Sequence, residues 1–242
     1  MIHVASPFPD RIPSNPDDLI KPAVDGTLFV LKAVSETSSV KRVVLTSSIA
    51  AVYDSSILFP KDKEESKLFD EESWTDLEDP ALDVYAKSKT LAEKAAWDFL
   101  KDLPEDKHKF ELVVINPGMV IGPLLSKRYT TSHGAVKKLL DKSTPALAKL
   151  YCNFVDVRDV AQAHLTALTL AEAAGKRHLL VSHSVWLKDM ANILSKEFKP
   201  QGYWVPTNNA PNLLVRVSSF IDKGVKLVVP RLERSSSMTT RG

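Results

Sequence analysis

The sequence predicts an α/β fold with a doubly wound parallel sheet, and three observations predict it. Two short runs, Val43-Val44-Leu45 and Leu112-Val113-Val114-Ile115, are apolar without interruption, as strands covered on both faces are. Around them lie segments with apolar residues at helical spacing. Runs and helical segments alternate along the chain, the order that places helices on both faces of a parallel sheet.

Each element follows in turn. Ile2–Ala5 reads as a short strand running into Ser6-Pro7. Residues 15–37 read as a helix: Asn15 can cap it, Pro16 suits its first turn, and Asp17 and Asp18 favour its positive end. Ile20, Val24, Leu28, Leu31 and Val34 form its apolar stripe. The strand at 43–45 ends at Thr46-Ser47-Ser48. Residues 54–83 form a long charged connection without a sustained period. A helix over 84–103 carries Leu91, Ala92, Ala95, Ala96 and Phe99 on one side, with Pro104 beyond its end. The strand at 112–115 stops at Asn116-Pro117-Gly118. A strand at 153–157 leads into a helix from Asp159, its expected cap, to about Ala171. A strand at 178–181 and a helix at 187–198 follow.

Composition bounds the function. At 242 residues, 44% hydrophobic and 26% charged, the chain is long enough to bury a core without cross-links. The 32 basic and 30 acidic residues are interspersed, so neither nucleic acid nor a membrane surface is expected as a partner. The first ten residues lack the pattern of a signal peptide, and no run approaches the ~18 apolar residues of a membrane span. A single cysteine, Cys152, expected to be a small buried apolar residue, fits a reducing, cytoplasmic compartment. The histidines lack ligand spacing, so no metal is expected. His164 is expected to be structural or exposed, and His133 and His183 to lie in loops.

In open parallel sheets, ligands sit beyond the carboxyl ends of the strands. There stand Ser6-Pro7, Thr46-Ser47-Ser48 and Pro117-Gly118, with Tyr85 and Lys89 opening the helix nearby. Tyr85 and Lys89 are spaced i, i+4 and share one helix face. A phenol of pKa near ~10 exchanges protons poorly at neutral pH, and a nearby ammonium lowers that value. Ser48, at a strand end, can polarise a carbonyl oxygen beside them. The Tyr-x-x-x-Lys spacing alone is weak, because chance supplies it readily.

Order strengthens it. The stretches 43–53 (VVLTSSIAAVY), 85–93 (YAKSKTLAE) and 116–123 (NPGMVIGP), flanked by His3-Val4-Ala5-Ser6-Pro7 and 154–161 (FVDVRDVA), occur in one sequence. Together they resemble the extended short-chain dehydrogenase/reductase family, nearest its cinnamoyl-CoA reductase and dihydroflavonol 4-reductase branch, over residues 1 to about 200. The resemblance implies that Ser48 is the catalytic serine and Tyr85 the proton donor. It implies that Lys89 lowers the tyrosine's pKa and holds the nicotinamide ribose. It places Pro117, Gly118 and Val120 at the turn beside the nicotinamide, Val4 and Ala5 along the cofactor, and Ser132 within its reach. Thr46 either helps to position the cofactor or merely ends its strand. Ser47 is expected to satisfy local backbone, and Asp70-Glu71-Glu72 to form a solvated face. The cofactor implied is NADP or NAD, with NADP favoured, and the partner a small carbonyl or alcohol substrate; the oligomeric state is left open.

The fold the resemblance implies is Rossmann-like. Family members open with a βαβαβ unit whose Gly-rich turn binds pyrophosphate, about 60–70 residues in length. Here Met1 stands where the fourth strand should begin, and the chain has only 8 glycines. The expectation is a Rossmann-like domain lacking its first βαβαβ unit over 1–125, a mixed substrate lobe over 126–230, and a disordered tail over 231–242. A fragment or alternative product of a longer gene is expected. Cinnamoyl-CoA reductases carry Asn-Trp-Tyr-Cys before Tyr-Gly-Lys, whereas this chain has Ala81-Leu82-Asp83-Val84 before Tyr85-Ala86-Lys87. That difference argues for a broader aldehyde or ketone reductase. The alternatives are an epimerase or dehydratase acting on a nucleotide sugar, and a non-catalytic remnant that partners longer homologues.

Overall fold

The computed structural model describes residues 1–8, 13–53, 69–80, 82–127 and 131–218. Its strands are β1 (Ile2–His3), β2 (Arg42–Thr46), β3 (Glu111–Pro117), β4 (Met119–Ile121), β5 (Tyr151–Asp156), β6 (Arg177–Leu180) and β7 (His183–Trp186). Its helices are α1 (Asp17–Ser35), α2 (Val84–Lys101), α3 (Thr131–Leu140), α4 (Val157–Thr169), α5 (Leu187–Phe198) and α6 (Asn212–Ser218). The expected disordered tail, 231–242, lies outside the described residues, as do 54–68 of the long connection.

The main sheet has the order β1-β2-β3-β6, all parallel. Alternation along β2 and β3 divides their side chains between two cores. Val43, Leu45, Leu112 and Val114 face one way and pack with Leu31 and Val34 of α1 and Ala96 of α2. Val44, Val113 and Ile115 face the other way and pack with Ala167 of α4 and Ala173. Both faces are thus covered, which is why these runs are apolar throughout. A second sheet has the order β4-β5-β7, with β5 and β7 antiparallel. β4 precedes residue 125 and joins this second sheet, while β6 lies far beyond it and joins the first. The lobe behind the second sheet has its own core of Leu139, Leu147, Ala191 and Val205.

Two helix ends explain the placement of α4. Asp156, not Asp159, is its N-cap, accepting from Arg158 N at 2.8 Å. The helix starts two residues earlier than expected because Asp156 ends β5 in extended backbone and so already presents a cap. At the other end Arg42 donates from Nη1 to the Ala167 and Leu170 carbonyls, at 2.8 and 2.6 Å, and from Nε to Glu111 at 2.7 Å. A guanidinium suits the negative end of a helix. It ties α4 to the sheet it covers.

Candidate active site

Three strand ends converge at one edge of the main sheet. His3 pairs with Leu45 and Thr46 with Ile115, so Val4-Ala5, Ser47-Ser48 and Asn116-Pro117 all emerge at the carboxyl side. A narrow cleft there is lined by Ala5, Ser6, Thr27, Thr46, Ser47, Lys89 and Glu93. Val4 is exposed beside it and Pro117 is buried at the end of β3.

Ser48 caps a short 3-10 turn, Ile49–Ala51, accepting from Ala50 N at 3.1 Å. Opposite it α2 starts at Asp83, whose carboxylate accepts from Ala86 N at 2.9 Å. The first turns of α2 present Tyr85 and then Lys89. The Ser48 hydroxyl lies beside the Tyr85 phenol, the Lys89 ammonium lies 5.8 Å from the Tyr85 ring centre, and Phe8 meets that ring edge-on at 5.0 Å. The serine, tyrosine and lysine picked out by sequence therefore share one corner.

Its electrostatics differ from the expectation in one respect. Burial pushes the Tyr85 phenol above its usual value, the neighbouring Ser48 hydroxyl lowers it, and the Asp83 charge raises it. The Lys89 ammonium is not among the causes. Burial instead acts on Lys89 itself, bringing it down to about 8 against the opposing pull of Glu93. Desolvation is the largest cause for both groups. His3, 8% exposed, is pushed down by burial and then by the Lys89 charge, and its Nε2 has no hydrogen-bond partner.

Several expectations need correction. Ser47 does not serve local backbone: its hydroxyl donates to Glu93 Oε2 at 2.6 Å. Thr46 turns its hydroxyl to His164 Nε2 at 2.7 Å, while His164 Nδ1 lies 2.7 Å from the Val160 carbonyl. A carbonyl only accepts, so Nδ1 carries the proton and the buried His164 is structural, as expected. Of the acidic run before Trp74, Glu72 is exposed as a solvated face would have it, but Glu71 turns inward and its Oε1 accepts from Leu179 N at 3.3 Å. His133 lies in α3, 2.8 Å from the Gly122 carbonyl, and His183 in β7, so neither is a loop residue. Cys152 is only partly buried in β5.

Two further sequence-selected positions have packing roles. A Cβ on Gly118 would sit 2.5 Å from the Asn153 carbonyl oxygen of β5, so close strand approach demands glycine there. Val120 pairs with Val155 in the second sheet, and Ser132 lies in the first turn of α3.

What sequence reasoning missed is a buried polar cluster beneath the corner. Glu93 is fully buried, and its Oε1 accepts from Arg177 Nε at 2.6 Å. Its Oε2 accepts from Ser47 and, at 2.8 Å, from Asn116 Nδ2, which also donates to the Ser48 carbonyl at 3.1 Å. Arg177 stacks 3.8 Å from the Trp74 ring and donates to the Ala51 carbonyl at 3.3 Å. The only signal in the sequence was Glu93 standing one turn after Lys89.

The residues present suit the nicotinamide half of a dinucleotide: small side chains at the strand ends and one buried ammonium able to hold a ribose hydroxyl. The described residues include no Gly-rich strand–turn–helix that would cradle the pyrophosphate, and no group of His, Cys, Asp and Glu able to hold a metal ion. No described helix is long and apolar enough to cross a membrane.

Residues 1–181 match the sequence profile of the NAD dependent epimerase/dehydratase family. The NADPH-dependent methylglyoxal reductase of Saccharomyces cerevisiae is 37% identical over 211 residues, covering 82% of this chain and 60% of the relative. A cinnamoyl-CoA reductase of Medicago truncatula is 39% identical over 196 residues, covering 80% and 57%. Among solved structures, the yeast methylglyoxal/isovaleraldehyde reductase complexed with NADPH superposes with a TM-score of 0.72 at 30% identity, covering 98% of this chain and 68% of that one. The chain thus spans about three-fifths of the length of these curated relatives.

Proposed function

We infer function from this premise: the chain belongs to the NAD dependent epimerase/dehydratase family, and within it carries the site of an NADPH-dependent carbonyl reductase. One observation carries the reading, Ser48 beside the Tyr85 phenol with Lys89 one helical turn away at the strand ends. The names of the relatives, reductases of methylglyoxal and of cinnamoyl-CoA, support reduction of a carbonyl over epimerisation of a sugar. The substrate class is a small aldehyde or ketone, its body against the exposed ring of Phe8.

Val4, Ala5, Thr46, Lys89, Pro117, Gly118, Val120 and Ser132 would hold the cofactor. NADPH, when bound, supplies the hydride to the carbonyl carbon. The chain's own residues then handle the oxygen. Ser48 donates a hydrogen bond to it, polarising the carbonyl. Tyr85 gives up its phenolic proton as negative charge builds there. Lys89, with a pKa of about 8, is mostly ammonium at pH 7 and stabilises the phenolate left behind. Fixed groups of this kind need no reorganisation in the transition state.

The test is Tyr85→Phe, assayed by NADPH oxidation with a small aldehyde. The variant should lose at least about 100-fold in kcat/KM with an unchanged circular dichroism spectrum. Turnover retained within a few-fold would sink the assignment of Tyr85.

A further inference from the structure

We propose that Glu93 is the positioning residue of this site, setting Ser48 through Ser47 and Asn116 and countering the Lys89 charge from one turn away on α2. The inference rests on the reading of Ser48, Tyr85 and Lys89 as the reductase trio.

The argument starts from how the carboxylate is shared. An arginine meeting a carboxylate usually spends two N–H groups on it. Arg177 offers Glu93 its Nε, and its other nitrogens reach the Glu71, Ser73 and Ala51 carbonyls. Glu93 Oε2 is thereby left to gather Ser47 Oγ and Asn116 Nδ2. These two residues bracket Ser48, one as its neighbour in the chain and the other as donor to its carbonyl. The orientation of the Asn116 amide is settled chemically: both of its near partners are acceptors, so the nitrogen must face them. Its Oδ1 has no partner, which leaves Glu93 and Ser48 as what the side chain is there to join.

Stability does not account for the arrangement. A buried ion pair replaced by apolar residues of like volume is often no less stable. What such a replacement would remove is a fixed backbone at Ser48 and a fixed negative charge beside Lys89. The groups facing Lys89 are few. From α2 itself they are Tyr85 and Glu93, from β1 the imidazole of His3, and from β2 only the uncharged Thr46 and Ser47. Among the described residues Glu93 is the one anion acting on it.

Two titrations that need no turnover test this. Lys89 is followed by NMR of the reductively methylated chain, its resonance assigned with Lys89→Arg. Glu93→Gln should move its pKa from about 8 downward by about one pH unit. Tyr85 is followed by phenolate absorbance, as the difference from Tyr85→Phe. Asn116→Ala, which leaves the Glu93–Arg177 pair whole, should raise its pKa, because a displaced Ser48 no longer lowers it. If Glu93→Gln leaves Arg177 unpaired and fails to fold, Glu93→Gln with Arg177→Met takes its place with the same expectation for Lys89. Either titration standing still in a folded variant overturns the proposal. Failure of the reductase reading would show separately, as activity retained in Tyr85→Phe.

Discussion

Lys89 sits where function and stability pull apart. An ammonium held at about 8 in the folded chain, against 10.5 when free, corresponds to about 3 kcal/mol of stability forgone at neutral pH. The sign follows from proton counting. Between pH 8 and 10.5 the unfolded chain binds more protons at this group than the folded one, so its contribution improves as pH rises through that window. Below pH 8 the full penalty applies. Lys89→Met should therefore raise the thermal midpoint at pH 7 by several degrees, since about 1 kcal/mol is worth ~2–4 °C at this size, while abolishing carbonyl reduction. A midpoint that fell would show that Lys89 is held by contacts stronger than its desolvation. The residues that sequence identified and those it did not differ in range. Tyr85 and Lys89 are four apart on one helix, so local geometry joins them. Glu93 meets Ser47 across 46 residues and Arg177 across 84, and no local pattern marks a partner at that distance. Ser47 was misjudged for the same reason.

Elements were legible in proportion to how fully they are buried. β2 and β3, covered on both faces, stand out as unbroken apolar runs. β4 and β7 are short and only partly buried, so neither period nor composition announces them, and the second sheet went unforeseen. α3 went unforeseen too, for it buries only Leu139. Caps were legible to within a few residues, with Asp156 preferred over Asp159 by the end of β5. The contact between the two sheets depends on Gly118, where β3 passes into β4 against Asn153. Gly118→Ala should cost about 1–3 kcal/mol, read as a lower urea midpoint at unchanged slope. A neutral result would mean that β5 can retreat from the Asn153 carbonyl without losing its pairing.

For the whole molecule, the conspicuous boundary is β1. Among the described residues it pairs only with β2, and Met1, Ile2 and Val4 are exposed along it, at 42%, 38% and 61%. An open edge with apolar side chains is a template for another strand. Ile2→Lys should therefore reduce concentration-dependent association of the chain in sedimentation velocity. Equal association in both forms would place the contact elsewhere. The expectation of a sheet lacking strands on this side came from family order, not from periodicity, for nothing within a two-residue strand tells which edge it will occupy.

The Tyr53 and Phe69 rings, both buried and 5.2 Å apart, clasp the two ends of the stretch 54–68. Thr75 and Arg177 then bind the returning chain to Ala50 and Ala51. The protein thus carries its own splice point. Cargo placed between the rings, such as a reporter peptide or a purification tag, would meet ends already held together, and doubling the stretch costs only about 0.6 kcal/mol in closure entropy. For anyone grafting new sequence into this scaffold, that clasp is the natural insertion port.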